Sequence, residues 1–262
     1  MEEAQPVRGA LALFLRDCGV TTELREVPQN RFVALEPAER RPADDEGPPV
    51  PATEEGDDVS VQAAREVARE ATSLEALHAV VRTFEGCPLR WLARSTCVGE
   101  GPVGAPLMLV GEAPGRDEDE AGRPFVGRSG QLLERMLAAI GLARADVYIT
   151  NVIPWRPPAN RTPSPIETAT CEVFVRCEIA LVRPTVLLAL GGAAAKTLFA
   201  NDAGIMRQRG QWRRFDAGEL EIDAMATLHP AFLLRNPAQK ARAWQDLLAV
   251  HRRLKERRVP FE

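Results

Sequence analysis

The chain of 262 residues lacks most features of membrane-bound or disulfide-bonded proteins. Its apolar runs, such as 185–190, fall far short of the roughly 20 residues that span a bilayer. Met-Glu-Glu at its start is not the basic beginning of a secretory signal. Its five cysteines form no CxxC pair, which argues against a zinc motif or a disulfide framework. These absences predict a cytoplasmic protein with no membrane attachment.

The chain also lacks a strong basic charge, and its charge is unevenly divided. Up to Thr83 there are 9 Lys and Arg against 17 Asp and Glu, a net charge of -8, whereas the remainder has 24 against 20, a net of +4. A mildly basic remainder permits phosphate contacts without requiring them. Residues 36–58 are rich in Pro, Glu, Asp, Ala and Gly, which predicts a flexible linker. We therefore expect a partly disordered N-terminal extension over 1–59 and a folded domain over 60–258.

Strand and helix patterns alternate in the folded domain. Strands are predicted at 107–110, 147–152, 185–190 and 224–228, and helices at 130–140, 165–182, 192–200 and 238–257. Earlier helices are expected at 7–18 and at 60–81, the latter with a break at Ser73, which can cap a helix. The alternation predicts an α/β fold with three α/β/α layers and a central, mainly parallel four-stranded sheet. In such a sheet the loops after the strands gather along one edge.

The most informative stretch is 107–127, where an apolar strand runs into a Gly-rich acidic loop that closes on Phe125. Its tight turn lets Glu112, Ala113 and Glu118 face a pocket at the end of the strand. The loop is not a phosphate-binding Walker A motif, because no Gly-Lys-Ser/Thr follows. Loops of this composition also occur as plain turns, so the loop alone leaves that alternative open.

Three loops together resemble a known family. The loops contain the segments Gly-Glu-Ala-Pro-Gly (111–115) with Gly-Arg-Pro-Phe-Val-Gly (122–127), Thr-Asn-Val (150–152) with Arg-Pro-Pro-Ala-Asn-Arg-Thr-Pro (156–163), and His-Pro-Ala-Phe-Leu-Leu-Arg (229–235). Their order and spacing are similar to those of family 4 uracil-DNA glycosylases. The resemblance covers roughly residues 84–256. It implies cleavage of the N-glycosidic bond of uracil in DNA. Uracil-containing DNA is then the expected partner, and the protein is expected to be a monomer.

The resemblance implies a role for three pocket residues, because a base must leave the stack before an enzyme can reach its glycosidic bond. Phe125 is expected to stack on the flipped uracil. Asn151 is expected to read O4 and N3-H, since an amide offers both an acceptor and a donor. His229 is expected beside O2, where it stabilises the charge on the leaving base. An ordinary strand-end Asn and a capping or core His are the alternative interpretations.

The resemblance also implies which residues assist the sugar and bind DNA. Glu112 and Glu118 are candidates to position water near the cationic sugar, and the sequence does not decide which one does so and which supports the loop. Ala113 stands where another family carries a water-activating Asp, so no strong general base is expected. Asp119 is expected to be a solvated loop charge. DNA contacts are expected from two segments. A loop facing the DNA backbone contains Pro157, Pro158, Asn160 and Arg161, and a wedge that fills the gap of the flipped nucleotide contains Phe232, Leu233, Leu234 and Arg235.

Members of the family usually hold a four-iron, four-sulfur cluster on four cysteines. In this chain the four positions fall on Phe84, Cys87, Trp155 and Cys171, so that two ligands are replaced by aromatic side chains. We expect no cofactor and no metal, with the aromatic rings filling the vacated volume and the remaining cysteines free and buried.

Two other classes of function agree less well with the sequence. A DNA-binding or replication-associated module could keep the fold without catalysis, with the acidic N-terminal arm docking a protein partner. Retention of Phe125, Asn151 and His229 argues against it. A nucleotide hydrolase would need a metal-binding carboxylate set and a phosphate loop, which the sequence lacks. The 156–163 loop has no His, so covalent capture of the sugar is not expected.

Overall fold

The computed structural model describes residues 54–218 and 220–257, which belong to one compact unit, Ala52–Glu262. The helix predicted at 7–18 and most of the predicted linker lie outside the described residues. The first described helix begins at Glu54, so the end of the predicted linker is helical. No helix within the described ranges is long and apolar enough to cross a membrane.

Helices and strands alternate along the described chain, as predicted. The helices are α1 (Glu54–Glu70), α2 (Leu74–Thr83), α3 (Leu89–Leu92), α4 (Arg116–Ala121), α5 (Arg128–Ala138), α6 (Pro165–Val182), α7 (Gly192–Phe199), α8 (Ile205–Gln208), α9 (Pro230–Arg235) and α10 (Lys240–Glu256). The strands are β1 (Leu107–Gly111), β2 (Tyr148–Asn151), β3 (Val186–Leu190), β4 (Arg213–Asp216) and β5 (Glu221–Thr227). Short 3-10 turns lie at Arg144–Asp146, Pro158–Asn160 and Pro237–Gln239.

The strands form one mixed sheet in the order β2-β1-β3-β5-β4. The pairs β1–β2, β1–β3 and β3–β5 are parallel, and β4 pairs antiparallel with β5 at the edge. The predicted number of four strands was therefore wrong. The fifth strand was missed because the segment Arg-Arg-Phe-Asp has only Phe215 as an apolar, inward-facing residue.

Each face of the sheet is covered by helices, which confirms the three layers. On one face Met108 and Leu187 belong to a core with residues of α1, α2, α6 and α7. On the other face Leu109 and Leu188 belong to a core with residues of α5, α9 and α10. Because successive side chains of a strand point to opposite faces, a sheet covered on both sides needs continuous apolar strands. The apolar runs of β1 and β3 meet that need.

Local capping explains where two helices begin. The predicted break before α2 is confirmed, and the Ser73 hydroxyl accepts a hydrogen bond from Ala76 N at 3.2 Å. Helix α6 begins after Ser164, whose hydroxyl accepts from Glu167 N while the Glu167 carboxylate accepts from Ser164 N. Such reciprocal bonds satisfy backbone donors that have no partner inside the helix.

A buried carboxylate ties four segments together behind β2. Glu178 Oε1 on α6 accepts hydrogen bonds from Tyr148 OH at 3.1 Å and from Gly99 N at 3.2 Å, and it lies 3.0 Å from His78 Nε2 on α2. Burial, with the nearby charge of Glu178, raises the pKa of Tyr148 far above its ordinary value, so the hydroxyl remains a donor. The network therefore fixes β2 against the helical layer.

Removing this carboxylate leaves buried donors without an acceptor. We expect Glu178→Ala to lower the free energy of unfolding by about 3 kcal/mol, measured by urea denaturation. Glu172→Ala on the same helix is the control, because Glu172 pairs with Arg176 at the surface and its loss is expected to cost about 0.5 kcal/mol or less. Equal losses for the two variants would contradict the assignment.

Candidate active site

A cavity of about 410 Å³ lies at the carboxyl ends of the parallel strands. It brings together most of the residues singled out from the sequence. Those that line it are Glu112, Ala113, Glu118, Phe125, Asn151, Asn160, Arg161, His229 and Arg235. Open α/β sheets generally bind ligands at this edge, so the cavity is the candidate active site.

Asn151 ends β2 and is nearly buried at the base of the cavity. Its neighbour in the parallel register is Gly111, the last residue of β1. A Cβ on Gly111 would collide with Asn151 Oδ1 and with the Phe125 ring. No atom of the described residues forms a hydrogen bond to the Asn151 side-chain amide. Its donor and acceptor are thus available to a ligand.

Phe125 closes the loop after β1 in a left-handed backbone conformation, with φ of 51°. This conformation is unfavourable for a bulky residue and persists only where surrounding contacts enforce it. Arg144 supplies two of them, donating to the carbonyl oxygens of Pro124 at 2.6 Å and Phe125 at 2.9 Å. The Phe125 and His229 ring centroids lie 5.5 Å apart at 31°. The two rings therefore form adjacent walls of the cavity.

His229 caps α9, and its Nδ1 accepts a hydrogen bond from Ala231 N at 3.1 Å. Burial lowers the pKa of His229 to about 4, and the positive charge of Arg235 contributes. The imidazole is therefore neutral near pH 7. Since Nδ1 is an acceptor, this hydrogen bond assigns the ring proton to Nε2, which can donate to a ligand.

The two glutamates have different surroundings. Glu118 Oε1 accepts from Val126 N at 3.0 Å and Gly127 N at 2.9 Å, and its Oε2 accepts from Gly115 N at 3.1 Å. Glu118 therefore holds the two ends of the loop together. The Glu112 carboxylate has no hydrogen-bond partner among the described residues, and burial raises its pKa. Glu112 is accordingly the carboxylate available to a substrate or a water.

The arginines at the mouth also differ. Arg161 donates to both carboxylate oxygens of Glu167, at 2.8 and 2.6 Å, so its guanidinium is already engaged. Asn160 Oδ1 accepts from Arg156 Nε at 2.7 Å. Arg235 has no carboxylate partner in the described part of the chain. Among these residues, Arg235 is the one free to meet an anionic group.

The two leucines of the predicted wedge on α9 lie in different surroundings. Leu233 is 1% exposed and belongs to the core under α9, whereas Leu234 is 36% exposed. Phe232 is half-buried against the same core. Neither Phe232 nor Leu233 lines the cavity. Helical periodicity turns Leu233 inward and leaves Leu234 and Arg235 outward, so Leu233 is corrected from a DNA contact to a core residue.

Asp119 also differs from its expectation as a solvated loop charge. It is nearly buried, and its Oδ1 accepts hydrogen bonds from Arg94 N at 2.9 Å and Ser95 N at 3.1 Å. It therefore anchors the 93–95 segment to α4. Its spacing in an acidic run gave no indication of these long-range partners.

Sequence reasoning missed the Gly-Gly turn between β3 and α7. Gly191, Gly192 and Ala193 line the cavity, and Gly191 has φ of 93°. A Cβ on Gly191 would lie 3.0 Å from the Cβ of His229, so the close approach of the two loops requires glycine. A Gly pair between a buried strand and a helix was a usable signal.

The cluster positions do not match a four-cysteine site. Cys87 and Cys171 lie with their sulfur atoms 4.0 Å apart, whereas Phe84 and Trp155 are buried and carry no thiolate. Across residues 54–218 and 220–257, no group of three or more His, Cys, Asp or Glu side chains is arranged to hold a metal ion. The residues present therefore do not fit a four-thiolate cluster.

The depressed pKa of His229 predicts a pH-dependent stability. Between about 4 and the ordinary value of 6.5, the unfolded chain binds a proton at His229 that the folded chain does not. Stability is therefore lost as the pH falls through this window. We expect wild-type protein to lose about 2 kcal/mol more unfolding free energy between pH 7 and pH 5 than His229→Gln, by urea denaturation at both pH values. Equal losses would show that His229 is not held neutral.

Comparisons with known proteins agree with this geometry. A family model of the uracil DNA glycosylase superfamily matches residues 98–248, more than half of the chain. The type-4 uracil-DNA glycosylase of Pyrobaculum aerophilum is 39% identical over 180 residues, covering 66% of this chain and 91% of that protein. The type-4 enzyme of Thermotoga maritima is 42% identical over 164 residues, covering 62% and 83%. That of Archaeoglobus fulgidus is 39% identical over 171 residues, covering 63% and 86%.

The matched region contains the three loops that line the cavity, and the family inferred from those loops is confirmed. The superfamily model covers more than half of the chain, and these relatives are matched over most of their own length. The chain therefore belongs to the type-4 uracil-DNA glycosylases of the uracil DNA glycosylase superfamily.

Proposed function

We propose that this protein flips uracil out of DNA and hydrolyses its N-glycosidic bond, leaving an abasic site. The observation that carries the proposal is the convergence of Asn151, Phe125 and His229 in one cavity at the sheet edge. An amide without a protein partner, an aromatic wall and a neutral imidazole donor form a complementary set for an uncharged pyrimidine. Family membership supports the same reaction.

Recognition of the base is assigned to three side chains. Phe125 stacks on the flipped ring, and Asn151 pairs with O4 and N3-H of uracil. Cytosine presents an amino group in place of O4 and lacks the N3-H donor. An Asn151 amide oriented to pair with uracil therefore cannot form hydrogen bonds with these two positions of cytosine. His229 donates from Nε2 to O2. Extrusion of the nucleotide is a prerequisite, because these groups lie inside a cavity that duplex DNA cannot enter.

Bond cleavage leaves negative charge on uracil and positive charge on the sugar. The neutral His229 stabilises the developing oxyanion as a hydrogen-bond donor, without first giving up its proton. The Glu112 carboxylate stabilises the sugar cation and orients the water whose oxygen bonds to C1′. The water proton passes to solvent, and the uracil anion takes a proton from solvent after departure. Ala113 contributes no charge and leaves space for the base.

DNA is held at the mouth of the cavity by Arg235 and Asn160, and Leu234 fills the gap in the stack. Arg235 has no carboxylate partner within the described residues, so a phosphate can approach it directly. Arg161 acts through Glu167, shaping the mouth rather than offering a free charge. Of the two leucines in the predicted wedge, the exposed Leu234 is the one proposed to fill the gap.

The direct experiment is excision from oligonucleotides with a single uracil, in single and double strands, with matched cytosine and thymine controls. Abasic product from uracil alone is expected. Asn151→Ala is expected to reduce kcat/KM roughly 100-fold or more, because the base edge loses its hydrogen bonds. Asn201→Ala, away from the cavity, is the matched control and should retain activity. DNA binding without product would favour a non-catalytic module, and a fully active Asn151→Ala would refute base reading by Asn151.

The glutamates can be separated by comparing activity with stability. The ionised Glu112 is the active form and burial raises its pKa, so excision is expected to decline on the acid side at a pH above that of an ordinary Glu. Glu112→Gln should lower kcat at least about 10-fold, remove this acid limb and leave Tm nearly unchanged. Glu118→Gln should instead lower Tm, because it weakens three backbone hydrogen bonds. The reverse pattern would exchange the two roles.

Adjacent leucines provide a test of the wedge. Leu234→Ala should lower excision from duplex DNA more than from single strands, since only the duplex has a stack to fill, with stability changed by about 0.5 kcal/mol or less. Leu233→Ala should instead cost about 2 to 5 kcal/mol in unfolding free energy through a core cavity. Equal effects of Leu234→Ala on both substrates would argue against the wedge.

We propose that the protein acts as a monomer, since residues of one chain line the cavity, and that it acts in the cytoplasm. The N-terminal arm is proposed to dock a protein partner through its acidic charge. Sedimentation of the full chain would test the monomer.

A further inference from the structure

The positions that hold an iron–sulfur cluster in similar enzymes form a continuous apolar core in this chain. Phe84, Cys87, Trp155 and Cys171 all belong to the core on the α6 side of the sheet. The Phe84 ring packs edge-on against Phe174, with centroids 5.0 Å apart. Trp155 is 0% exposed. This volume is therefore filled by side chains that pack against each other.

The ligand set for a cluster cannot be completed from this core. The polar atom of Trp155, Nε1-H, is a donor and is bonded to Thr96 Oγ1 at 3.0 Å. Cys18 lies outside the described residues. Of the other cysteines in the described ranges, Cys97 contacts the carbonyl oxygen of Glu118 at 3.1 Å and Cys177 that of Ala68 at 3.6 Å. Both thiols are engaged elsewhere. Two thiolates alone leave half of the ligand positions of a cubane cluster unfilled.

Trp155 is placed where it can affect the active site. It follows Asn151 by four residues and directly precedes the 156–162 segment, which includes Pro157, Asn160, Arg161 and Thr162 of the cavity lining. The start of that segment is thus attached to the buried indole. The end of the segment leads into α6, which carries Cys171.

We propose that this protein functions without an iron–sulfur cluster, and that the packing of Trp155 and Phe84 takes over the structural role of metal–thiolate bonds. The buried indole then fixes the segment that borders the cavity. This inference concerns how the fold is held together, so the spectroscopic tests of it do not depend on the proposed glycosylase activity.

The first test is iron content and visible absorbance of the full chain, purified anaerobically from iron-supplemented cells. A colourless protein with iron far below one atom per chain is expected. A brown protein with stoichiometric iron would overturn the proposal. The double variant Phe84→Cys, Trp155→Cys is the matched comparison and is expected to take up iron. Failure of this variant to do so would contradict the assignment of the two aromatic side chains to ligand positions.

The second test compares the thermal stability of core variants. Trp155→Ala is expected to lower Tm by roughly 10 °C, and Trp155→Phe by less, because part of the volume is retained. Trp244→Ala is the matched control, since Trp244 is 40% exposed on α10. Cys87→Ala with Cys171→Ala should lower Tm by less than Trp155→Ala and keep uracil excision. A cysteine pair variant that loses more stability than Trp155→Ala would show that the thiols, not the indole, hold this region.

Discussion

The arrangement of the active site depends on one buried carboxylate. Glu118 accepts three backbone hydrogen bonds from the two ends of the loop that follows β1. A carboxylate with several N-H donors is a strong local anchor, because each bond is charge-assisted. By closing the loop, Glu118 holds Phe125 in its left-handed conformation beside Gly111, while Arg144 fixes the adjacent carbonyls. The aromatic wall and the free Glu112 carboxylate are positioned together by this closure.

The second constraint is electrostatic. The imidazole of His229 is half-buried near the positive charge of Arg235, and both effects lower its pKa and keep it neutral near pH 7. A neutral donor can stabilise a developing oxyanion without the desolvation cost of a buried cation. Its Nδ1 is held by α9, which directs the remaining ring proton away from the protein backbone. The same helix therefore sets the protonation of His229 and displays Leu234 at the surface.

The proposal for Trp155 and Phe84 concerns how this domain is held together by packing in place of metal–thiolate bonds. Four thiolates hold a cluster by a few strong bonds, whereas Trp155 and Phe84 contribute through apolar burial over a wide area. Their neighbours belong to the same core as β1, β2 and α6, so the packing is continuous with the rest of the domain. The Cys87 and Cys171 sulfur atoms lie 4.0 Å apart, and both residues are buried within that core.

The sequence by itself determined the layered α/β fold, the family and most residues of the cavity, because apolar runs such as β1 and the spaced loop motifs are local signals. It missed β4, where a single inward Phe215 gives too weak an alternation. Only the tertiary structure decided that Glu118 supports the loop while Glu112 faces the cavity, that Arg161 is paired with Glu167, and that Leu234 rather than Leu233 is exposed. These distinctions depend on partners distant in sequence and on the orientation of each helix, which residue identity and spacing do not specify.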